Sequence, residues 1–328
     1  MSNFIDKAEE IFHNPNEPER ESFKLFFKAY DLLKQVHTKA TLDTDNIETV
    51  YGALEMAAFC GHLGDLTKEE LEKKLLPAVK LVIARTIEES IRFPFRGGIA
   101  CPPSPYESLY QSLLQLPDHY NNVAFITFNY DLCLEYTFNY FQAPFSYCIN
   151  ETLEDNIIPL LKLHGSLNWF ANDENIYELN VTELNAKQTD KDWECFFDPP
   201  TQIIKTKGLD HTSNAPVIVP PSWDKGGFQR QIQPAWKVAS KCLREAEYLF
   251  FIGYSMPESD AFFRYLFALG TAGSTRIKKI HVIDINPEKG VVDQHYRSLF
   301  SPSSINRYKY DKSEFEQRAV LLNNLLYK

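Results

Sequence analysis

The sequence has little glycine and no long apolar run. It contains 13 glycines in 328 residues, the first at Gly52. No stretch approaches the roughly 20 apolar residues that a membrane-spanning helix needs. The most apolar helical stretch, Leu75–Ala84, contains Lys80 and is followed by Arg85. The N-terminus lacks the basic and then apolar pattern of a signal peptide. We therefore expect a cytoplasmic protein that does not bind membranes.

The cysteines do not form a pattern typical of metal sites. There are six, and no two are spaced as C-x-x-C. This argues against a zinc ribbon, and the length of the chain argues against a disulfide scaffold. We expect no bound metal and mostly reduced, buried thiols.

The balance of charge argues against nucleic-acid partners. The formal net charge is −10, which disfavours direct binding to nucleic acid or to anionic membranes. With 44% hydrophobic residues the chain is ordinary for a globular protein. Its 14% aromatic residues leave room for an interface with a second copy or with a partner chain.

The pattern of the chain changes near residue 119. Before it, amphipathic periodicity predicts a mainly helical region, 1–118, in which Thr67–Glu70 is a capping box that opens a long helix. From residue 119 onward, apolar strand-like runs alternate with helical segments. The strand-like runs are Val123–Phe128, Leu160–Leu163, Val217–Val219, Tyr248–Ile252 and Lys279–Ile283.

This alternation predicts an α/β fold with a Rossmann-like parallel sheet and helices on both faces, over residues 119–328. The polar stretch 171–215 shows weak periodicity, so we expect an irregular insertion beside the sheet. Ligands of such sheets lie beyond the carboxyl ends of the strands. Four predicted strands end in small or polar residues: Asn129-Tyr130-Asp131, His164-Gly165-Ser166, Gly253-Tyr254-Ser255 and Asp284-Ile285-Asn286.

Each of these residues also has an ordinary structural interpretation. An Asn after a strand usually makes an Asx turn, and a lone His before Gly is more often structural than catalytic. Asp131 and Glu135 are four residues apart, which would place both carboxylates on one helix face as a hydrolytic pair. That spacing is common on solvated faces, so we rank this alternative last. The four strand ends together favour a ligand site.

The same residues carry a resemblance to a family. T-F-N-Y-D at Thr127–Asp131, K-L-H-G-S at Lys162–Ser166, G-Y-S-x-x-x-x-D at Gly253–Asp260 and I-D-I-N at Ile283–Asn286 occur in this order. Together they resemble the prokaryotic sirtuin-like domains. The resemblance implies a Rossmann-like sheet that binds NAD as a substrate.

The resemblance also implies a role for each residue. Asn129 would position the ribose and the attacking water, His164 would hold the ribose hydroxyls or act as a general base, and Asp131 would orient both. The reaction would be cleavage of the N-glycosidic bond to nicotinamide. The rest of NAD would be bound by the remaining strand-end residues: Gly165, Ser166, Gly253, Tyr254, Ser255, Asp284 and Asn286.

Two departures from the family pattern refine this expectation. Deacylase sirtuins carry a four-cysteine zinc module, whereas 171–215 holds only Cys195, which argues against a protein deacylase. Zinc-free members are mostly NAD-consuming enzymes, many in bacterial antiphage defence, and we expect the same here. In that setting the partner would be a second copy or another chain of a defence system.

The second departure concerns the family's Gly-rich diphosphate loop. The chain opens with a predicted helix at Phe4–Ala8 where the family has a strand and a G-A-G-x-S loop. Our hypothesis is that the sequence starts late, at an internal Met. The alternative function is a catalytically silent module that binds NAD or ADP-ribose, or completes its sheet with another chain.

Overall fold

The computed structural model describes most of the chain. The described residues are 3–35, 41–96, 99–116, 118–171, 176–178, 184–188, 193–197, 216–219, 226–257, 261–270, 276–285, 290–302 and 304–314. Their α-helices are α1 Phe4–His13, α2 Arg20–Gln35, α3 Ile47–Cys60, α4 Leu76–Ser90, α5 Ser104–Leu113, α6 His119–Asn122, α7 Cys133–Tyr140, α8 Gly226–Glu245, α9 Ala261–Gly270 and α10 Val291–Leu299.

The strands are short. They are β1 Phe93–Arg96, β2 Ile99–Ala100, β3 Phe125–Thr127, β4 Phe145–Ser146, β5 Ile158–Lys162, β6 Trp169–Ala171, β7 Ile176–Glu178, β8 Leu184–Gln188, β9 Trp193–Phe197, β10 Tyr248–Ile252, β11 Lys279–Ile283 and β12 Tyr308–Asp311.

The contacts of the chain define two compact units. One comprises Met1–Ala100, Phe128–Leu132 and His164–Ile232, and the other Cys101–Thr127, Cys133–Leu163 and Gln233–Lys328. The predicted boundary between residues 118 and 119 does not coincide with this division. As a statement about independent domains it stays a prediction.

The first unit contains a helical bundle formed by α1 to α4. The capping box at Thr67–Glu70 is confirmed, since the Thr67 hydroxyl accepts from the Glu70 amide at 3.2 Å and the Glu70 carboxylate accepts from the Thr67 amide at 2.8 Å. It opens a π-helical turn, Glu70–Leu75, that continues into α4. Leu71, Leu75, Val79 and Val82 form an apolar stripe along it and are buried.

The first unit also contains antiparallel strands. They form one sheet in the order β2-β1-β9-β8 and a separate hairpin of β6 and β7. Three of these strands lie within 171–215, so our expectation of an irregular segment does not describe them. The reason is that β9 pairs with β1, where Phe93 lies opposite Cys195. A local pattern cannot reveal a partner about a hundred residues away.

The second unit contains the parallel strands. One three-stranded sheet has the order β3-β5-β4, and another has the order β10-β11-β12. Within both sheets neighbouring strands run parallel, with α9 between β10 and β11 and α10 between β11 and β12. The predicted α/β class is confirmed, and the arrangement is consistent with a Rossmann-like fold.

Aromatic packing covers one face of the β10-β11-β12 sheet. The ring of Phe251 lies 4.9 Å from that of Tyr296 on α10 and 6.1 Å from that of Phe263 on α9. The ring of Phe267 on α9 in turn lies 5.7 Å from that of Phe300.

Among the helices that the structure describes, none is long and apolar enough to cross a bilayer.

A buried lysine on α4 makes the stability of the helical bundle depend on pH. Lys80 is only 8% exposed. Burial lowers its pKa from 10.5 to about 8, against a smaller opposing effect of the Glu55 carboxylate. Between these two values the unfolded chain binds a proton that the folded chain has released, so stability rises with pH in this window.

We expect Lys80 to contribute a rise of about 2 kcal/mol in the free energy of unfolding from about pH 7 to about pH 9.5, so the wild type should gain about this much relative to Lys80→Met. The measurement is urea unfolding of both proteins across this range. The substitution also changes packing, but this effect does not depend on pH. It therefore does not alter the slope of the free energy of unfolding against pH, which is the quantity compared. Equal slopes for the wild type and the variant would contradict the assignment.

Candidate functional site

Two loops that follow neighbouring parallel strands form the candidate site. β3 and β5 pair with Thr127 opposite Lys162, and the amide of Leu163 donates to the carbonyl of Thr127 at 2.9 Å. The chain therefore leaves both strands at the same level. The residues that follow are 128–132 after β3 and 164–168 after β5.

The imidazole of His164 lies against the loop that carries Asn129. It is 6% exposed. The ring of Phe128 lies 4.9 Å from it in an edge-on orientation, and the ring of Tyr130 lies 6.3 Å from it. These two aromatic residues flank Asn129, which is itself exposed. The structure thus brings together the loops that carry Asn129 and His164. Asn129 is exposed, and His164 is largely buried.

A third segment, 216–219, supports both loops. The amide of Val219 donates to the carbonyl of His164 at 2.8 Å. The hydroxyl of Tyr130 donates to the carbonyl of Val219 at 3.1 Å. The amide of Leu167 donates to the carbonyl of Tyr130, also at 3.1 Å. His164 is therefore held through main-chain groups on either side of it.

Gly165 allows the His164 loop to approach the third segment. It forms an antiparallel bridge with Ile218 and has a φ of +87°. A Cβ at this position would overlap the carbonyl oxygen of Val217. Glycine is therefore required both for the backbone conformation and for the space.

Ser166 is engaged within the same loop. It is fully buried, its amide donates to the carbonyl of Val217 at 3.0 Å, and its hydroxyl donates to Oδ1 of Asn168 at 2.7 Å. These contacts give Ser166 a structural role. The cofactor contacts that we expected from Gly165 and Ser166 stay predictions.

The helix-face argument for an Asp131–Glu135 pair is wrong. Asp131 precedes α7, which begins at Cys133, and is half-buried. Glu135 is buried and its Oε1 lies 2.8 Å from Nζ of Lys162. It also accepts from the hydroxyl of Tyr147 at 3.0 Å. This carboxylate is committed to a buried ion pair, which sequence spacing could not show.

The predicted cofactor-binding residues that follow β10 lie in the second unit. Gly253 has a φ of +63°, and its amide donates to the carbonyl of Ile283 at 2.9 Å. The carbonyl of Tyr254 accepts from the Tyr296 hydroxyl at 2.7 Å. Ser255 is exposed, but it does not cap a helix, because the next two described residues, Met256 and Pro257, are not helical.

Asp284 follows β11 and is half-buried. Its amide donates to the carbonyl of Asp311 at 3.1 Å. Burial, and then the negative charge of Asp284, raise the pKa of the Tyr296 hydroxyl above its usual value. Asn286 and Asp260 lie outside the described residues.

A sequence model of the SIR2-like domain matches residues 123–300, which is more than half of the chain and includes Asn129, His164 and the residues that follow β10 and β11. The chain belongs to the SIR2-like domain family. SIR2-like domains bind NAD, so the function is NAD-related and of sirtuin type. A comparison with curated proteins found no match.

Within the described ranges, no group of three or more His, Cys, Asp or Glu side chains is disposed to hold a metal ion.

Two supports of the SIR2-like site were missed by sequence reasoning. Val217–Val219 was predicted as a sheet strand, yet it makes a single bridge to the His164 loop. The indole of Trp236, on α8, donates to the carbonyl of Leu163 at 2.9 Å. For Val217–Val219, the apolar V-I-V run was the only sequence feature that indicated a role. Nothing in the sequence distinguished Trp236 from the other apolar residues of an amphipathic helix.

The contact at Gly165 predicts a large effect of a small substitution. Gly165→Ala is expected to lower the free energy of unfolding by about 1–3 kcal/mol or more. The added Cβ would overlap the main chain of Val217, and alanine is strained at this positive φ. Gly52→Ala is the matched control, since a Cβ at this position in α3 meets nothing within 4 Å.

Because glycine weakens a helix interior, Gly52→Ala should raise stability by roughly 0.5–1 kcal/mol. Urea unfolding measures both variants. A Gly165→Ala variant as stable as the wild type would show that the loop does not need this close approach.

Proposed function

We propose that this SIR2-like domain hydrolyses the bond between nicotinamide and ribose in NAD. The observation that supports the proposal is that the loop of Asn129 lies against the imidazole of His164. The Asn129 side chain is exposed, and the imidazole is largely buried. Both follow parallel strands at one level, in a family that binds NAD. In such sheets a ligand lies beyond the strand ends.

The proposed chemistry requires only water as a second substrate. The bond between C1′ and the pyridinium nitrogen breaks, and its electron pair leaves with the nitrogen, so neutral nicotinamide departs. The ribose passes through an oxocarbenium-like transition state, as in glycoside hydrolysis. A water oxygen bonds to C1′ and its proton is released, giving ADP-ribose.

Each catalytic residue has a role in this scheme. The Asn129 amide holds the ribose and the attacking water. His164 accepts the water proton or holds the ribose hydroxyls, and the aromatic surroundings of its ring restrict competing solvent. Asp131, on the same loop as Asn129, orients these groups. The residues proposed to hold the remainder of NAD are Gly165, Ser166, Gly253, Tyr254, Ser255, Asp284 and Asn286.

Within this set, the residues after β10 and β11 offer two kinds of group. Gly253 and Ser255 are exposed, so a diphosphate can approach the main chain there. Asp284 offers a carboxylate that can accept hydrogen bonds from a ribose hydroxyl.

The test is release of nicotinamide from NAD by the purified protein. Asn129→Ala and His164→Ala are each expected to reduce the turnover rate by about 100-fold or more, the usual contribution of a positioned acid–base group. Asn139→Ala and His13→Ala are matched controls, because both residues are exposed and lie in helices. Both controls should keep the wild-type rate.

Other outcomes would favour other functions. Undiminished turnover in both Asn129→Ala and His164→Ala would reject these residues as catalytic. NAD or ADP-ribose binding by calorimetry, without any nicotinamide release, would favour a silent binding or assembly module. Formation of an acyl-ADP-ribose from an acylated peptide would instead indicate a protein deacylase.

We place this hydrolysis in bacterial antiphage defence, the setting that the motif resemblance implies, with a second copy or another defence chain as the partner. Bacteria that produce the protein should lose NAD on phage infection and show fewer plaques than bacteria producing His164→Ala. Equal plaque numbers with the two proteins would count against this setting while leaving the hydrolysis itself untouched.

A further inference from the structure

Tyr130 makes three different contacts with the structure around His164. Its hydroxyl donates to the carbonyl of Val219 at 3.1 Å. Its carbonyl accepts from the amide of Leu167 at 3.1 Å. Its ring centroid lies 6.3 Å from that of the imidazole. With 7% exposure it is nearly as buried as His164 itself.

These contacts enclose the His164 turn from both ends. Val219 donates its amide to the carbonyl of His164 at 2.8 Å, so the Tyr130 hydroxyl is connected through Val219 to the start of the turn. The main chain of Tyr130 binds Leu167, at the end of the turn. Tyr130 also directly follows Asn129 in the chain. One residue therefore connects the amide-bearing loop to both ends of the imidazole-bearing loop.

We propose that Tyr130 is the positioning residue that fixes Asn129 and His164 relative to each other. Its consequence for catalysis rests on the proposed NAD hydrolysis. Tyr130 acts through these two residues and through main-chain groups, and it takes no part in bond making or breaking.

The physical need for such a residue follows from where the two groups lie. Asn129 and His164 are in loops, outside any helix or strand of the described residues, so no regular hydrogen-bond ladder holds them. A displacement of about 1 Å between reacting groups can cost on the order of 100-fold in rate. A hydrogen bond from a buried hydroxyl to a carbonyl is directional, and losing it leaves that carbonyl without this donor.

Tyr130→Phe tests the proposal, because it removes the hydroxyl and keeps the ring. We expect kcat for nicotinamide release to fall about tenfold or more, with a smaller change in KM for NAD. The matched control is Tyr30→Phe. Tyr30 is also buried in the first unit, 3% exposed, and its hydroxyl also donates to a main-chain carbonyl, that of Thr44 at 3.3 Å.

Tyr30 lies in α2, outside the candidate site. The two variants should therefore lose similar stability in urea, while Tyr30→Phe keeps the wild-type kcat. Equal kcat values for Tyr130→Phe and the wild type would overturn the proposal. Equal losses of kcat in both variants would also overturn it, since they would indicate a general effect of destabilisation.

A second measurement does not depend on activity. The imidazole resonances of His164, assigned by their absence in His164→Gln, should shift in Tyr130→Phe and stay unchanged in Tyr30→Phe. If the wild-type protein releases no nicotinamide, the proposed hydrolysis fails, and these spectra still decide whether Tyr130 positions His164. Unchanged His164 resonances in Tyr130→Phe would overturn the positioning role.

Discussion

The close approach of two backbone segments, at Gly165 and Val217, is the constraint on which the candidate site depends. No side chain fits between them. The bridge from Gly165 to Ile218 allows the amide of Val219 to donate to the carbonyl of His164. Tyr130 reaches the same point from the preceding loop. Three segments that are distant in sequence thus share one small set of main-chain hydrogen bonds, whose net strength is greatest where water is excluded.

The polar residues near the strand ends divide into two groups by burial. Ser166, Glu135 and Lys162 are buried, and each is engaged by a protein partner. Burying these polar groups without partners would cost free energy. Their hydrogen bond and ion pair offset that cost and hold the side chains in place. Asn129, Gly253 and Ser255 are exposed. Exposure leaves these three residues accessible to a ligand.

Sequence reasoning succeeded where the signal was local. The bounds of β10 and β11 match the predicted runs, because both runs are rich in β-branched or aromatic residues and are followed by residues typical of turns. The strand-end argument also led to the Asn129 and His164 loops, which do lie against each other. It relied on a general rule of parallel sheets and needed no knowledge of distant contacts.

It failed where pairing was distant or where side chains chose their partners in three dimensions. The pairing of Phe93 with Cys195 joins segments about a hundred residues apart. The spacing of Asp131 and Glu135 suggested a shared helix face, but α7 begins only at Cys133. Whether a serine beside a glycine faces a ligand or the loop interior likewise depends on the third segment, which carries no motif of its own.

The anchoring of Val217 has a further consequence for how this protein can change over time. The Val217 amide donates to the carbonyl of Trp169, so the chain between them departs from and returns to a single point. Because the entropy of closing such an excursion grows only slowly with its length, residues added outside its paired strands would cost little and leave the anchored ends in place. The length of the chain between Trp169 and Val217 can therefore change without moving the main-chain contacts that hold His164.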